Sequence, residues 1–253
     1  MTADPLYNTL LIVWISLSLV IFTMLFFITA PYGRHVKGGW GIPLNSKLGW
    51  VLMEAWSPLV IILCFLLGSA PVTTASICFL ILWEAHYIHR AFIYPFSLNS
   101  SNTNMPLSVV LSGIFFNFIN ASLNGYYVFT LSGGYQDSWL ADPRFIAGTL
   151  LFIAGFVINR QSDYTLEHLR KPGEKGYQIP YGGLYRWISC PNYFGEIMIW
   201  CGWALATWSL AGLSFALWTI ANLAPRARSH QDWYHKTFPD YPTNRKTLLP
   251  GVW

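Results

Sequence analysis

Charge is the scarcest property of this 253-residue sequence. Asp, Glu, Lys and Arg together make up 10% of its residues, against roughly 25% in an ordinary soluble domain. So little charge cannot cover a soluble globule of this size, and 54% hydrophobic residues exclude a disordered chain. The net charge of +4 without a basic block disfavours a nucleic-acid binder, because few phosphates could be neutralised. These absences indicate a protein whose solvent is lipid.

Motifs for disulfides, metals and phosphate-binding loops are also missing. The four cysteines lack CxxC spacing and lie in apolar sequence, where Cys behaves as a small buried hydrophobe. Among the six histidines, His86 and His89 alone have a metal-like spacing, and we expect no metal site. Neither G-x-G-x-x-G after a strand nor G-x-x-x-x-G-K-[ST] occurs, so neither of these phosphate-binding loops is expected.

Long uncharged runs predict transmembrane helices. Residues 6–30 contain no Asp, Glu, Lys, Arg or His, and about 20 apolar residues cross the hydrocarbon core. Further spans are predicted at about 48–67, 72–96, 106–131 and 144–158. Between 186 and 226 the sequence is too long for one crossing at about 1.5 Å per residue. We therefore expect a turn at about 207–212, which gives spans six and seven.

The basic residues predict the orientation of these spans. With the N-terminus outside, Arg144 is the single Lys or Arg of 15 in an outside segment, as the positive-inside rule requires. We therefore predict an all-α integral membrane protein with seven transmembrane helices, the N-terminus outside and the C-terminus cytoplasmic, as one domain over 1–253. The long polar segments 31–47, 160–186 and 225–253 all fall inside, so the working face is expected to be cytoplasmic. Such a multi-pass protein belongs in a bacterial inner membrane or the endoplasmic reticulum.

Ionisable side chains are predicted at membrane depth, where they are costly and commonly functional. Glu54 in span two and Tyr87 in span three fall at similar depths in the inner half. Further polar residues are spaced one turn apart near the inner ends of spans five, six and seven: Asn159 and Asp163, Asn192 and Glu196, and Arg226, His230 and Tyr234. Interhelical hydrogen bonds and snorkelling helix ends are the alternative explanation.

A buried Glu–Tyr pair can polarise a carbonyl group. A low dielectric disfavours the charged carboxylate, and a neutral acid and a phenol can both donate hydrogen bonds to one oxygen. Those bonds strengthen as negative charge develops on that oxygen. The pair cannot supply a hydride, so a reduction would need a cofactor. The loop 170–177, with Arg226, Arg228 and His230, offers cations for phosphates, although a charged loop is also typical of solvated surface.

Several stretches resemble the steroid 5α-reductases (3-oxo-5α-steroid 4-dehydrogenases). The strongest are residues 159–174 (NRQSDYTLEHLRKPGE), 177–183 (YQIPYGG) and 192–196 (NYFGE). The likeness extends to Glu54, 86–90 with Tyr94, 125–127, 204–209, 240–242 and 245–246. It covers most of the chain from about Trp50 onwards.

This resemblance implies a seven-helix membrane reductase that uses NADPH. It implies hydride transfer to C5 of a 3-oxo-Δ4 steroid and protonation at C4, with Glu54 and Tyr87 as catalytic residues that hold the C3 oxygen. The catalytic and NADPH-binding part would be about 104–253. Positions that line the dinucleotide site in the family correspond to Trp50, Tyr94, Phe116, Asn159, Asp163, Arg170, Tyr177, Asn192, Glu196, Arg226, His230 and Tyr234. Animal members carry Arg immediately before Gly113; here Ser112 stands there, so one family cofactor contact is in doubt.

The leading hypothesis is therefore an NADPH-dependent steroid reductase whose substrate enters from lipid, with no nucleic acid and no obligate protein partner. One alternative is reduction of another conjugated lipid carbonyl of the enoyl-CoA type, since long-chain enoyl reductases share the C-terminal pattern. Another is a membrane methyltransferase of the isoprenylcysteine type, which would bind S-adenosylmethionine and leave Glu54 and Tyr87 without a role. A sterol-binding or channel-like bundle is the non-enzyme alternative, and a nearly uncharged outer half disfavours a channel.

Overall fold

The structure is a computed structural model that describes residues 2–29, 33–35, 39–97, 103–170, 174 and 176–253. Three basic residues of the predicted inside segments, Lys37, Lys171 and Lys175, lie outside the described residues. The described residues are mostly helical, as the composition predicted. The helices are α1 (Pro5–Phe27), α2 (Ser46–Glu54), α3 (Trp56–Leu67), α4 (Thr74–Ile88), α5 (Tyr94–Ser97), α6 (Leu107–Tyr126), α7 (Pro143–Glu167), α8 (Pro191–Thr207) and α9 (Leu210–Thr237).

Shorter elements connect these helices. A π-helical turn, His89–Ile93, joins α4 to α5, and a second, Tyr127–Leu131, follows α6. Short 3₁₀ turns occupy Gly33–His35, Asp137–Ala141 and Gly183–Arg186. The helical path from 74 to 97 is thus continuous, with its hydrogen-bond spacing changed over one turn.

Four helical segments of the described residues are long and apolar enough to cross a membrane. They are Pro5–Phe27, Ser46–Leu67, Leu107–Leu131 and Pro143–Glu167, and they fall on four of the predicted spans. The remaining three predicted spans coincide with α4, α8 and α9, of which α4 has 15 residues and α8 has 17. The protein is therefore a membrane protein, while the count of seven crossings and their orientation stay predictions.

Side-chain caps fix where these helices begin. Asp4 Oδ1 accepts from Tyr7 N at 3.0 Å at the start of α1, and Asn45 Oδ1 accepts from the first turn of α2. Thr73 and Ser76 form a capping box at α4, and Asp142 Oδ1 accepts from Arg144 N at 2.8 Å at α7. Each cap satisfies backbone donors that have no partner inside the helix.

The fifth helix is longer than the sequence predicted. We expected a span ending at about 158, but α7 continues to Glu167. Asn159 and Asp163 therefore lie on regular helix. Their side chains bond to residues at the start of α8, so polar residues that weakened the hydropathy signal are paired instead of ending the helix.

The all-α prediction also missed a short antiparallel ladder. Strand β1 (Pro43–Asn45) pairs with β2 (Asn104–Pro106), with Leu44 opposite Met105. Hydrogen bonds at both ends extend it, from Leu107 N to Ile42 O and from Ser46 N to Thr103 O. Because β1 precedes α2 and β2 precedes α6, the ladder brings the starts of these two helices together.

The predicted turn near 207–212 is present. Helix α8 ends at Thr207 and α9 begins at Leu210, with Trp208 at φ 44° between them. Trp200 stacks on Phe215 with ring centroids 3.8 Å apart, and these residues lie at similar distances along the chain from the break. The two helices therefore run antiparallel.

The chain divides into two compact units. Unit 1 comprises the described parts of 1–14, 30–146 and 207–211. In unit 1, α6 packs closely on α2 and α3 at glycine: a Cβ on Gly113 would lie 2.8 Å from Met53 Cβ, and one on Gly125 would lie 2.8 Å from Cys64 Cβ. The missing side chains let α6 approach both helices.

Unit 2 comprises the described parts of 15–29, 147–206 and 212–253. Here α7 and α8 meet backbone to backbone, because a Cβ on Gly155 would lie 2.6 Å from Gly195 O, and one on Gly148 would lie 2.6 Å from Gly202 O. The two glycines of each helix are seven residues apart, so both contacts fall on one face. This approach brings Asn159 to the first turns of α8.

Candidate active site

The predicted acid and phenol meet through a third side chain in unit 1. The Tyr87 hydroxyl donates to Asn117 Oδ1 at 3.3 Å. Asn117 Nδ2 donates to Glu54 Oε2 at 3.4 Å and to Met53 O at 2.8 Å. One carboxamide of α6 therefore joins a carboxyl group from α2 and a phenol from α4.

A helix break positions Glu54. Helix α2 ends at Glu54 and α3 begins at Trp56, and Pro58 has no N–H with which to continue the ladder to the Glu54 carbonyl. Carbonyl groups in the last turn of a helix need other partners, and Asn117 Nδ2 supplies one for Met53 O. The same amide thus stabilises the break and contacts the Glu54 carboxyl group.

Tyr87 is buried and packs against two aromatic side chains. Tyr87 is 3% exposed. Its ring stacks on the Trp83 ring with centroids 5.4 Å apart and meets the His86 ring edge-on with centroids 5.0 Å apart. Trp83 is itself fixed by a hydrogen bond from Nε1 to Ser57 Oγ. The phenol ring therefore has little rotational freedom.

Arg90 links Glu54 to two of the predicted cofactor residues. Its Nε lies 4.0 Å from Glu54 Oε1, and its guanidinium carbon lies 4.8 Å from the Trp50 ring and 5.3 Å from the Tyr94 ring. Trp50 Nε1 donates to Arg90 O at 3.1 Å. Arg90 and its carbonyl lie in the π-helical turn, an element often found at functional sites.

Phe116 and Ser112 lie elsewhere on α6. The Phe116 ring stacks on Trp14 of α1 with centroids 5.8 Å apart. The Ser112 hydroxyl donates to Ser108 O and Val109 O in its own helix, at 2.9 Å each. Ser112 therefore bonds to the backbone of α6 at the position where animal relatives were expected to carry Arg.

A second cluster of polar side chains lies in unit 2 and contains four of the predicted cofactor-binding residues. Asn159 Nδ2 donates to Glu196 Oε2 at 3.1 Å and to Asn192 O at 3.0 Å. Asn192 Nδ2 donates to Asp163 Oδ1 at 3.1 Å. Trp200 Nε1 donates to Glu196 Oε1 at 3.0 Å. Two amides and two carboxylates thus form one largely buried network between α7 and α8.

The α9 residues form a further group in unit 2 around Tyr193. Its hydroxyl accepts from Arg226 Nε at 3.1 Å and lies 2.9 Å from His230 Nε2. Arg226 is 6% exposed, so the group includes a deeply buried cation. Tyr234, one turn beyond His230, stacks on Tyr241 at 4.9 Å.

Arg170 and Tyr177 have other partners. Arg170 Nη1 donates to Gly176 O at 3.2 Å, and the Tyr177 ring packs against Trp233 at 4.9 Å. Both side chains border the charged loop 170–177, whose Lys171 and Lys175 lie outside the described residues. The structure therefore places Arg170 against the backbone of its own loop and Tyr177 against α9.

The sequence did not lead us to predict Asn117, Tyr193 or Trp200 as site residues. Asn117 had a usable signal, because it begins a series of buried asparagines with Asn120 and Asn124 along an otherwise apolar helix. A polar stripe in an uncharged span is a reason to expect partners. Tyr193 lies in the family-like stretch 192–196 (NYFGE), which was the available signal. Trp200 carried none, since aromatic residues are abundant throughout the sequence.

Comparison with known proteins assigns this chain to a class of enzymes. Residues 103–253 match the family model described as 3-oxo-5-alpha-steroid 4-dehydrogenase. The steroid 5-alpha-reductase DET2 of Gossypium hirsutum is 40% identical over 254 residues, covering 98% of this chain and 95% of that protein. The 3-oxo-5-alpha-steroid 4-dehydrogenase 1 of Bos taurus is 38% identical over 239 residues, covering 93% and 92%. The human protein of the same name is 40% identical over 221 residues, covering 87% and 85%.

These matches define an oxidoreductase that acts on CH–CH groups. The chain belongs to the 3-oxo-5-alpha-steroid 4-dehydrogenase family, also named steroid 5-alpha-reductase. The resemblance seen in the sequence is thereby confirmed. The methyltransferase and enoyl thioester alternatives are not favoured.

Proposed function

We propose that this protein reduces the Δ4 double bond of 3-oxo-Δ4 steroids to 5α-dihydro steroids, using NADPH and one proton. Family membership supports the steroid substrate class. The observation that carries the proposal is the pairing of Glu54 and Tyr87 through Asn117. A carboxyl group close to a buried phenol suits a ketone oxygen that gains charge during the reaction, because both groups can donate hydrogen bonds to it when the acid is neutral.

The chemistry assigned to this pair is stabilisation of an enolate. NADPH, when bound, supplies the hydride that adds to C5. The C4–C5 π electrons then move towards C3, and negative charge develops on O3. The Glu54 acid and the Tyr87 phenol donate hydrogen bonds to O3 and stabilise that charge. A proton added at C4 restores the ketone and completes the reduction.

The donor set of unit 2 fits NADPH. Its amides and carboxylates offer both donors and acceptors, which a nicotinamide carboxamide and ribose hydroxyls require. Arg226 is a buried cation, which suits a polyanionic ligand. We propose that the residues holding the dinucleotide are Trp50, Tyr94, Phe116, Asn159, Asp163, Arg170, Tyr177, Asn192, Glu196, Arg226, His230 and Tyr234.

The proposed setting is a multi-pass membrane protein with seven crossings, the N-terminus outside and the C-terminus cytoplasmic. Its membrane would be a bacterial inner membrane or the endoplasmic reticulum. The distribution of Lys and Arg supports this orientation. The steroid would enter from lipid, and no obligate protein partner is proposed.

The test uses purified protein in detergent with NADPH and testosterone or progesterone. NADPH oxidation is followed with and without steroid, and the stereochemistry of the product at C5 is determined. Steroid-dependent oxidation that gives the 5α product is expected. A 5β product, faster turnover of a trans-2-enoyl-CoA, or S-adenosylmethionine binding without NADPH oxidation would each contradict the proposal.

Two variants test the assigned residues. Glu54→Gln and Tyr87→Phe should each lower kcat by about 10²-fold or more, because each removes one donor to the developing oxyanion. The dissociation constant for NADPH should stay near that of the unmodified protein. Tyr126→Phe is the matched control, since it removes a phenol from a half-exposed tyrosine of the same unit. Near-normal rates in both test variants would exclude the assigned roles.

A further inference from the structure

We infer that Asn117 is a positioning residue for the acid–phenol pair, and that the Tyr87 hydroxyl exchanges Asn117 Oδ1 for the substrate O3 during the reaction. This role rests on the proposed function and deepens it. Asn117 belongs to the same site and holds Glu54 and Tyr87 in place before the substrate binds.

The Tyr87 hydroxyl can donate to one acceptor at a time. A phenol has a single proton, and Tyr87 donates it to Asn117 Oδ1. Tyr87 is 3% exposed, and a buried hydroxyl left without a partner costs about 1–3 kcal/mol. Asn117 therefore satisfies the phenol while no ketone is present. Because the ring is fixed, the Tyr87 hydroxyl must rotate about its C–O bond to donate to O3.

The exchange favours the transition state over bound substrate. Asn117 Oδ1 and the ground-state O3 are both neutral carbonyl oxygens, so moving the phenol proton between them gains little at first. An enolate oxygen is charged, and hydrogen bonds to charged acceptors are roughly twice as strong as neutral ones. An interaction that is stronger in the transition state raises kcat more than it changes KM.

The amide group of Asn117 also orients Glu54. Its Nδ2 donates to Met53 O and to Glu54 Oε2, so a flipped amide would direct its oxygen at two acceptors. Arg90 Nε lies 4.0 Å from Oε1, so the two oxygens of Glu54 face different groups. Asn117 thus fixes the orientation of the Glu54 carboxyl group before the substrate arrives.

The next asparagine on the same face supplies a comparison. Asn120 lies one turn further along α6 and is 0% exposed. Within the described residues its side-chain nitrogen and oxygen have no hydrogen-bond partner. Asn120 therefore matches Asn117 in residue type, helix and burial, without the bonds to Glu54 and Tyr87.

The experiment compares Asn117→Leu with Asn120→Leu in the steroid reduction assay. Asn117→Leu keeps the branch at Cγ and removes all three hydrogen bonds, so kcat should fall about 10-fold or more. The KM for steroid and the dissociation constant for NADPH should change less than kcat. Asn120→Leu should keep the kcat of the unmodified protein. In a Tyr87→Phe background, Asn117→Leu should cause a smaller further loss, because residues that act as a unit are not additive.

A second variant applies even if Asn117→Leu fails to fold. A protonated Asp is nearly isosteric with Asn and can donate from its hydroxyl, so Asn117→Asp should keep activity at low pH. Ionisation would place a second negative charge beside Glu54 and the developing enolate, so kcat should fall as pH rises more steeply than in the unmodified protein. An unchanged pH profile, a normal kcat for Asn117→Leu, or an equal loss in the Tyr87→Phe background would overturn the inference. If the unmodified protein does not reduce the steroid, the proposed function fails instead, which distinguishes the two outcomes.

Discussion

The backbone contact between α7 and α8 gives the sharpest prediction for stability. In Gly155→Ala the new Cβ would lie 2.6 Å from Gly195 O and 2.7 Å from Ile199 N. Ordinary van der Waals contact begins at 3.4 Å, so the helices must separate locally by about 0.8 Å. Both atoms belong to the backbone of α8 and cannot rotate away.

The magnitude follows from two opposing effects. Overpacking of this kind costs about 1–3 kcal/mol, while replacing Gly by Ala in a helix gains up to about 1 kcal/mol. The expected net loss is about 1–2 kcal/mol, which lowers Tm by roughly 2–8 °C for a chain of this size. The same separation would stretch the 3.1 Å bond from Asn159 to Glu196 to about 3.9 Å, beyond hydrogen-bond distance.

Thermal unfolding in detergent and NADPH titration measure both consequences. Gly155→Ala should lower Tm and weaken NADPH binding. Ala154→Leu is the matched control, because Ala154 is the exposed neighbour on the same helix and its larger side chain meets no backbone of α8. If Gly155→Ala unfolds at or above the Tm of the unmodified protein, the close helix approach is refuted.

Two further predictions concern polar contacts. Tyr193→Phe removes the hydroxyl that bonds to Arg226 and lies beside His230; we expect about tenfold weaker NADPH binding by titration, and unchanged affinity would contradict this assignment. Hydrogen bonds from the Arg144 side chain lower the pKa of Asp142 to about 2. A lowered folded pKa stabilises the protein above the ordinary Asp pKa of about 4, and that stabilisation is lost as pH falls through about 2. Asp142→Asn should therefore lower Tm at neutral pH, with the difference shrinking below about pH 4; a difference independent of pH would contradict the pairing.

The helices were largely predictable because apolar runs and turn positions depend on local sequence. The break at 207–212 followed from the length of the stretch between Arg186 and Arg226, in which Glu196 is the one charged residue. The β1–β2 ladder could not be predicted in this way, because its strands are three residues each and lie about 60 residues apart. The extension of α7 through Asn159 and Asp163 could not be predicted either. Its polar residues bond to α8, and the hydropathy of a sequence contains no information about hydrogen-bond partners.

The candidate site was predictable in its residue types but not in its connections. Counting residues along the predicted spans placed Glu54 and Tyr87 at similar depths in the membrane. It did not say which face of α6 would meet them, so Asn117 was missed. Long-range pairing is decided by the close approach at Gly113, where the absence of a side chain lets α6 reach the end of α2.

The π-helical turn at His89–Ile93 makes the length of this stretch as important as its composition. A π turn holds one more residue than a regular turn, and each residue of an α-helix rotates the chain by about 100°. A relative that lacks one residue here would have a regular helix and would present a different side chain to Trp50. Insertions and deletions between 89 and 93 should therefore be read as changes to the site, even where every neighbouring residue is identical.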